Sequence, residues 1–182
     1  MTTFKTAALT GRPGIGKTTA LMKIVDVLRK DGFTVGGFYT RELRRAGVRY
    51  GFEICDIGLG RTAVLASVDI SSGPRVGKYR LSLENMLELG VASLRNAIKT
   101  SEAVFVDEVG PMELFCTSFI EAVRELLKTG KPSLLTIHHS ARHPVVEEVR
   151  QAAGEHLYVL DFKNRDRVPD LVYGVMRKWL RS

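Results

Sequence analysis

The sequence predicts an α/β fold: a mostly parallel sheet flanked by helices on both faces, with a β-hairpin insertion after the first helix. Three observations predict it. Short apolar runs alternate with segments of helical period, the pattern of strand–helix units. The first run ends in Gly11-Arg12-Pro13-Gly14-Ile15-Gly16-Lys17-Thr18, a complete G-x-x-x-x-G-K-T phosphate-binding loop (P-loop), with a strand pattern before it and a helix pattern after it. A later run, Ala103-Val104-Phe105-Val106, ends in the acidic pair Asp107-Glu108.

The elements follow in order. Residues 5–10 read as a short buried strand. Residues 18–30 read as an amphipathic helix, with Leu21, Ile24, Val25 and Leu28 at i, i+3, i+4 and i+7, stopped by Asp31-Gly32. Residues 34–40 and 49–56 read as the strands of a hairpin joined by a charged turn, 41–48, and 62–67 as a further strand. Gly73, Pro74 and Gly77 mark 71–78 as a loop. A helix is predicted next, capped by Ser82, with Leu83, Leu87, Val91, Leu94 and Ile98 along one face. After the acidic strand comes a helix over 114–128, with Phe115, Phe119, Ile120, Val123, Leu126 and Leu127 inward. A strand over 133–137 and a helix over 143–153 follow, Pro144 lying near its first turn. A strand over 157–160 leads to a last helix, 168–180, burying Leu171, Val172, Val175, Met176 and Trp179.

Composition bounds the function classes. With 182 residues, 45% hydrophobic and 26% charged, the chain fits one α/β domain with a sizeable core. No apolar run approaches a membrane span, and the opening Met-Thr-Thr-Phe-Lys-Thr has no apolar signal region, so a cytoplasmic protein is expected. Two cysteines, Cys55 and Cys116, are too few for a disulfide framework and read as reduced core thiols. The net charge of +7 fits attraction of polyanions or a basic solvated surface. Basic residues cluster at Arg41, Arg44, Arg45 and Arg49 and at Lys163, Arg165 and Arg167, but several aromatics do not interleave them. Nucleic-acid binding is therefore not favoured as the main role.

The loop has a mechanical logic. Gly11, Gly14 and Gly16 allow close backbone approach, and the freed N–H groups meet the positive end of the following helix. Lys17 reaches β- and γ-phosphates, and Thr18 places a hydroxyl on Mg²⁺. Asp107, at a strand end, holds the same metal, directly or through water. Glu108 is free to activate an attacking water as general base. A kinase needs no water-activating carboxylate, so Glu108 favours hydrolysis. Thr136 lies near a neighbouring strand end, where it is either a γ-phosphate sensor or an ordinary β-branched strand residue. His138, His139 and His143 lack zinc-ligand spacing and read as solvated or capping histidines. A further cation on the transferring phosphate is sought among Arg41, Arg44, Arg45 and Arg165.

The motifs together resemble the nucleoside-triphosphatase family described first in thermophiles, with relatives in archaea, bacteria and animals. The matching stretches are Gly11 to Thr18, Gly36-Gly-Phe-Tyr-Thr-Arg-Glu42, Val76-Gly-Lys-Tyr79, Val106-Asp-Glu-Val-Gly-Pro-Met-Glu-Leu114 and Asn164-Arg165. They occur in the family's order over nearly the whole chain. The resemblance implies a P-loop NTPase fold with an extra strand between the loop strand and the acidic strand. It implies Mg²⁺-dependent hydrolysis of nucleoside triphosphates, with broad base tolerance, to diphosphate and phosphate. It also implies nucleotide contact along Gly11 to Thr18 and along Ala103, Val104, Phe105, Val106, Asp107, Glu108, Val109 and Gly110. Asn164 and Arg165 would lie near base or phosphates. Pro111 departs from the family, where Lys or Arg is frequent; a cation needed there must come from elsewhere. A monomer is expected. The rival readings are a kinase of a nucleoside or small metabolite and a nucleotide-gated nucleic-acid-binding module.

Overall fold

The computed structural model describes residues 3–182. Five parallel strands form the centre: β1 (Thr6–Gly11), β2 (Val35–Arg45), β7 (Ala103–Val109), β8 (Ser133–Ile137) and β9 (Leu157–Leu160). Their order is β2-β7-β8-β1-β9, so β8 stands between the loop strand and the acidic strand. An antiparallel extension continues from β2 through β3 (Val48–Asp56), β4 (Thr62–Ser67), β6 (Tyr79–Leu81) and β5 (Arg75–Val76). Of these, β1, β7 and β8 bury both faces, which is why they read as continuous apolar runs. Along β1 and β7, successive residues face opposite ways. Ala7, Leu9, Ala103 and Phe105 pack with α1 (Lys17–Lys30) and α6 (Val168–Arg181). Ala8, Val104 and Val106 pack on the other side, where α3 (Ala92–Thr100), α4 (Thr117–Thr129) and α5 (Pro144–Ala153) lie. No described helix is long and apolar enough to cross a membrane.

The hairpin is longer than its sequence suggests. Residues 41–45 and Val48, read as a charged turn, belong to the two strands, and only Ala46 and Gly47 turn the chain. Both have positive φ, 49° and 78°, the signature of a two-residue turn matching the strands' twist. The ribbon projects into solvent, so neither face demands apolar residues. Cross-strand ion pairs, Arg41–Glu53 and Arg49–Glu42, stand in for apolar pairs. The predicted 71–78 loop likewise contains β5 and the start of a small hairpin to β6.

Three helical faces differ from the periodic reading. Ser82 does cap the segment after β6, its Oγ accepting from the Asn85 N–H at 3.1 Å. After α2 (Leu83–Asn85), residues Met86–Val91 form a π-helical stretch before α3. Its wider turn moves the buried stripe to Met86, Leu89, Val91, Leu94 and Ala97, leaving Leu83 and Leu87 39% and 46% exposed. Residues 113–115 form a 3₁₀ turn, which puts Phe115 50% exposed and starts α4 at Thr117. In α6, Leu171 faces solvent and Val168 takes an inward place. Cys55 and Cys116 are free and buried, as expected of core thiols.

Candidate functional site

The site forms where β1, β7, β8 and β2 end, because parallel strands deliver their carboxyl ends to one edge. After Gly11 the chain makes a loop whose Gly14 and Gly16 have φ of 77° and 112°, left-handed values that a side chain would strain. The loop hands over directly to α1, with Gly16 at the N-cap and no side-chain cap on the first-turn N–H groups. Those donors, at the positive end of a 14-residue helix, are available to an anion. Lys17 is buried, and its Nζ donates to the carbonyls of Gly11 at 2.9 Å and Arg12 at 3.5 Å.

Asp107 joins three strands to the loop. Its carboxylate accepts from Thr18 Oγ1 at 2.8 Å, from Thr136 Oγ1 at 2.6 Å and from the Thr40 N–H at 3.4 Å. Burial pushes its carboxyl up, while these bonds and the field of Lys17 oppose the rise. The Thr136 hydroxyl is thus turned onto Asp107. Glu108 is the next residue, and the β7–β8 register breaks between Val106 and Val109 to accommodate the pair. Burial, then the charge of Asp107, raises the Glu108 carboxyl to about 7, with Lys17 pulling it down.

Lys17, Thr18, Asp107 and Glu108 line one cavity of about 440 Å³, together with Pro111, Met112 and Glu113. Ala103, Val104, Phe105 and Val106 do not line it; they are the buried strand behind it. The far wall carries Arg41, Arg49, Phe52, Leu65 and Val76 from the antiparallel extension. Arg49 was not among the cations sought for the phosphate, since its place on the returning strand hid its nearness to the loop. Its guanidinium lies over Phe52 at 5.0 Å and donates to Tyr79 Oη and to Glu42. Of the four cations sought, Arg41 lines the cavity while paired with Glu53. Arg44 pairs with Glu42 and Arg45 with Asp69, both away from the loop. Arg165 leans over the Phe162 ring at 5.0 Å and reaches the Ile15 carbonyl at 3.5 Å. Asn164 fastens its own turn, bonding the Val159 carbonyl and the Asp161 N–H.

The rings of His138 and His139 lie 4.9 Å apart, while His143 has a task of its own. His143 caps α5 through its Nδ1, which accepts from the Val145 N–H at 3.1 Å. His138 lines the cavity, and burial with the fields of His139 and Lys17 keeps its ring below the usual histidine range.

Known proteins are similar to this chain in sequence and fold. The profile of the family described as NTPase matches residues 6–173. The "Nucleoside-triphosphatase THEP1" of Methanosarcina acetivorans is 42% identical over 166 residues, 91% of this chain and 93% of that protein. That of Methanopyrus kandleri is 42% identical over 175 residues, 96% of each. The crystal structure of THEP1 from the hyperthermophile Aquifex aeolicus superposes with a TM-score of 0.82 at 32% identity, covering 94% of this chain and 98% of that one. The solution structure of a human cancer-related nucleoside triphosphatase gives 0.75 at 36% identity, covering 93% and 96%. With the family profile matching residues 6–173 and such relatives 42% identical over nearly the whole chain, the chain belongs to the NTPase family.

Proposed function

We propose that the protein hydrolyses nucleoside 5′-triphosphates to diphosphate and phosphate in a Mg²⁺-dependent reaction with broad tolerance of the base. The observation that carries the reading is the pairing of Thr18 and Asp107 at 2.8 Å with Glu108 one residue on. Two hard oxygen donors held together at the end of a phosphate-binding loop suit Mg²⁺, which keeps several waters and takes its remaining ligands from phosphates. Thr18 and Asp107 would hold the ion, which when bound offsets charge on the phosphates. The residues of the chain do the rest. Loop N–H groups and Lys17 bind the phosphates, exchanging Lys17's carbonyl partners for phosphate oxygens. Thr136 keeps Asp107 aimed at Thr18. Glu108 takes the proton of the attacking water as the bond to the leaving diphosphate breaks. Its raised carboxyl is a stronger base than an ordinary glutamate. The names of the relatives, nucleoside-triphosphatases of similar length throughout, support the same chemistry.

Base tolerance fits a site whose polar groups converge on the phosphates. The near side of the cavity is lined by loop, acid and threonine residues. The test is phosphate release from ATP, GTP, CTP and UTP with and without Mg²⁺. Release from all four only with the metal is expected; an inert chain or a strict preference for one base overturns the reading. One observation favours a second reading, transfer to an acceptor: the cavity continues past the acids to Phe52, Leu65 and Val76, leaving room for a small molecule. The same assay with nucleosides and monophosphates added separates them, since a kinase would phosphorylate these and release no phosphate.

A further inference from the structure

The Met112-Glu113-Leu114 part of the acidic segment has no task in that mechanism. Glu113 opens the 3₁₀ turn Glu113–Phe115 and is only 3% exposed, yet it lines the same cavity as Lys17, Thr18 and Glu108. Burial pushes its carboxyl well up, and the backbone N–H groups of Glu113 and Gly110 only partly oppose the rise. Oε2 is buried without a partner. The charges that reach the group are Glu108 and Asp107, both of its own sign. A carboxylate buried without a cation costs far more than a carboxylic acid. Glu113 is therefore neutral, with one O–H to donate.

Glu113 and Glu108 line the same cavity, and the turn between them is close-packed: a Cβ on Gly110 would stand 2.7 Å from Glu108 Oε1. We propose that Glu113 is a positioning residue for hydrolysis: its carboxylic acid donates to the Glu108 carboxylate, directly or through one water, and holds it toward the attacking water. Glu113 keeps its own proton throughout, and Glu108 alone accepts the proton of the water. The proposal rests on the hydrolase reading.

The experiment compares Glu113→Leu, Glu113→Gln and the wild type in Mg²⁺-dependent phosphate release, nucleotide affinity and thermal midpoint. Glu113→Leu removes a buried acid, so its midpoint is expected at or above wild type while kcat falls about tenfold or more, with KM and affinity unchanged. Glu113→Gln, which restores a neutral donor, is expected to recover most of that rate. The double variant Glu108→Gln/Glu113→Leu is expected to be no slower than Glu108→Gln alone. Glu113→Met replaces Glu113→Leu in the same comparison where the latter fails to fold. A wild-type kcat in the apolar variant, a Glu113→Gln as slow as it, or additive losses in the double variant each overturn the positioning role. A wild-type chain that releases no phosphate overturns the hydrolase reading and this proposal with it.

Discussion

Glu108 and Thr136 show what single residues contribute. Glu108→Gln keeps size and polarity but loses basicity. Nucleotide affinity is expected to stay within a few-fold of wild type, while phosphate release falls by about 10²–10⁴. Equilibrium binding and single-turnover hydrolysis check both halves, and wild-type turnover would remove Glu108 from its role. Thr136→Val preserves shape and deletes the donor to Asp107 Oδ1, 2.6 Å away in a fully buried place. Losing that bond costs about 1–3 kcal/mol, read as a lower midpoint in chemical denaturation. Asp107 loses its aim at Thr18, so the Mg²⁺ concentration for half-maximal hydrolysis should rise. An unchanged Mg²⁺ titration would mean that Asp107 needs no such support. Residues of this kind are legible as types at spacings: the loop and the acidic pair announce themselves. Thr136 was legible only as a polar residue near a strand end. Its partner lies 29 positions away and is reached only when β7 and β8 pair.

At the scale of elements, β2 is the strand on which the site depends. It carries Thr40 to Asp107 and then runs out into the ribbon that walls the cavity. Gly37 lets it lie against β7: its φ is 109°, and a Cβ there would fall 1.8 Å from the Phe105 carbonyl oxygen. Gly37→Ala is therefore expected to cost more than about 4 kcal/mol or to prevent folding, since the clash is with backbone inside the sheet. Soluble yield and urea midpoint measure it; a near-wild-type midpoint would show that the β2–β7 pairing can shift. Element types were largely legible, because apolar period separates strands from helices. Three kinds of feature were not. The ribbon over residues 41–48 is charged, and charged strands outside the core carry no apolar alternation. The π stretch Met86–Val91 breaks the 3.6-residue period that a helical-face reading assumes. The 3₁₀ turn at Glu113–Phe115 starts α4 later than its apolar residues suggest.

For the molecule as a whole, the acids at the sheet edge carry a cost in stability that function offsets. Burial raises Asp107, Glu108 and Glu113. A carboxyl raised in the fold binds more protons folded than unfolded. Its contribution is fully present below the unfolded value, near 4.5 for Glu108, and is lost as pH climbs through the folded value of about 7. Without nucleotide or metal, the thermal midpoint is expected to fall between pH 5 and pH 7.5. Glu108→Gln should flatten that slope by an amount equivalent to about 2–3 kcal/mol. A midpoint that rises over the same window would show these acids to be paired and charged. In the proposed reaction Mg²⁺ would supply countercharge to these acids, so nucleotide with metal should restore stability at the upper end of the window.

By itself the sequence determined which side chains the proposed chemistry uses. The proposed phosphate cradle, metal-binding pair and base are local in kind, and each follows from residue type, spacing and the strand or helix that carries it. It also determined the class of fold, through period and through the order of strands and helices. Only the tertiary structure decided which distant groups meet. Thr40, Thr136 and Thr18 converge on one carboxylate, and Arg49 and Glu113 line one cavity with the loop and Glu108. These meetings depend on sheet order and register, and those are set by burial summed over the whole chain, not by any window of it.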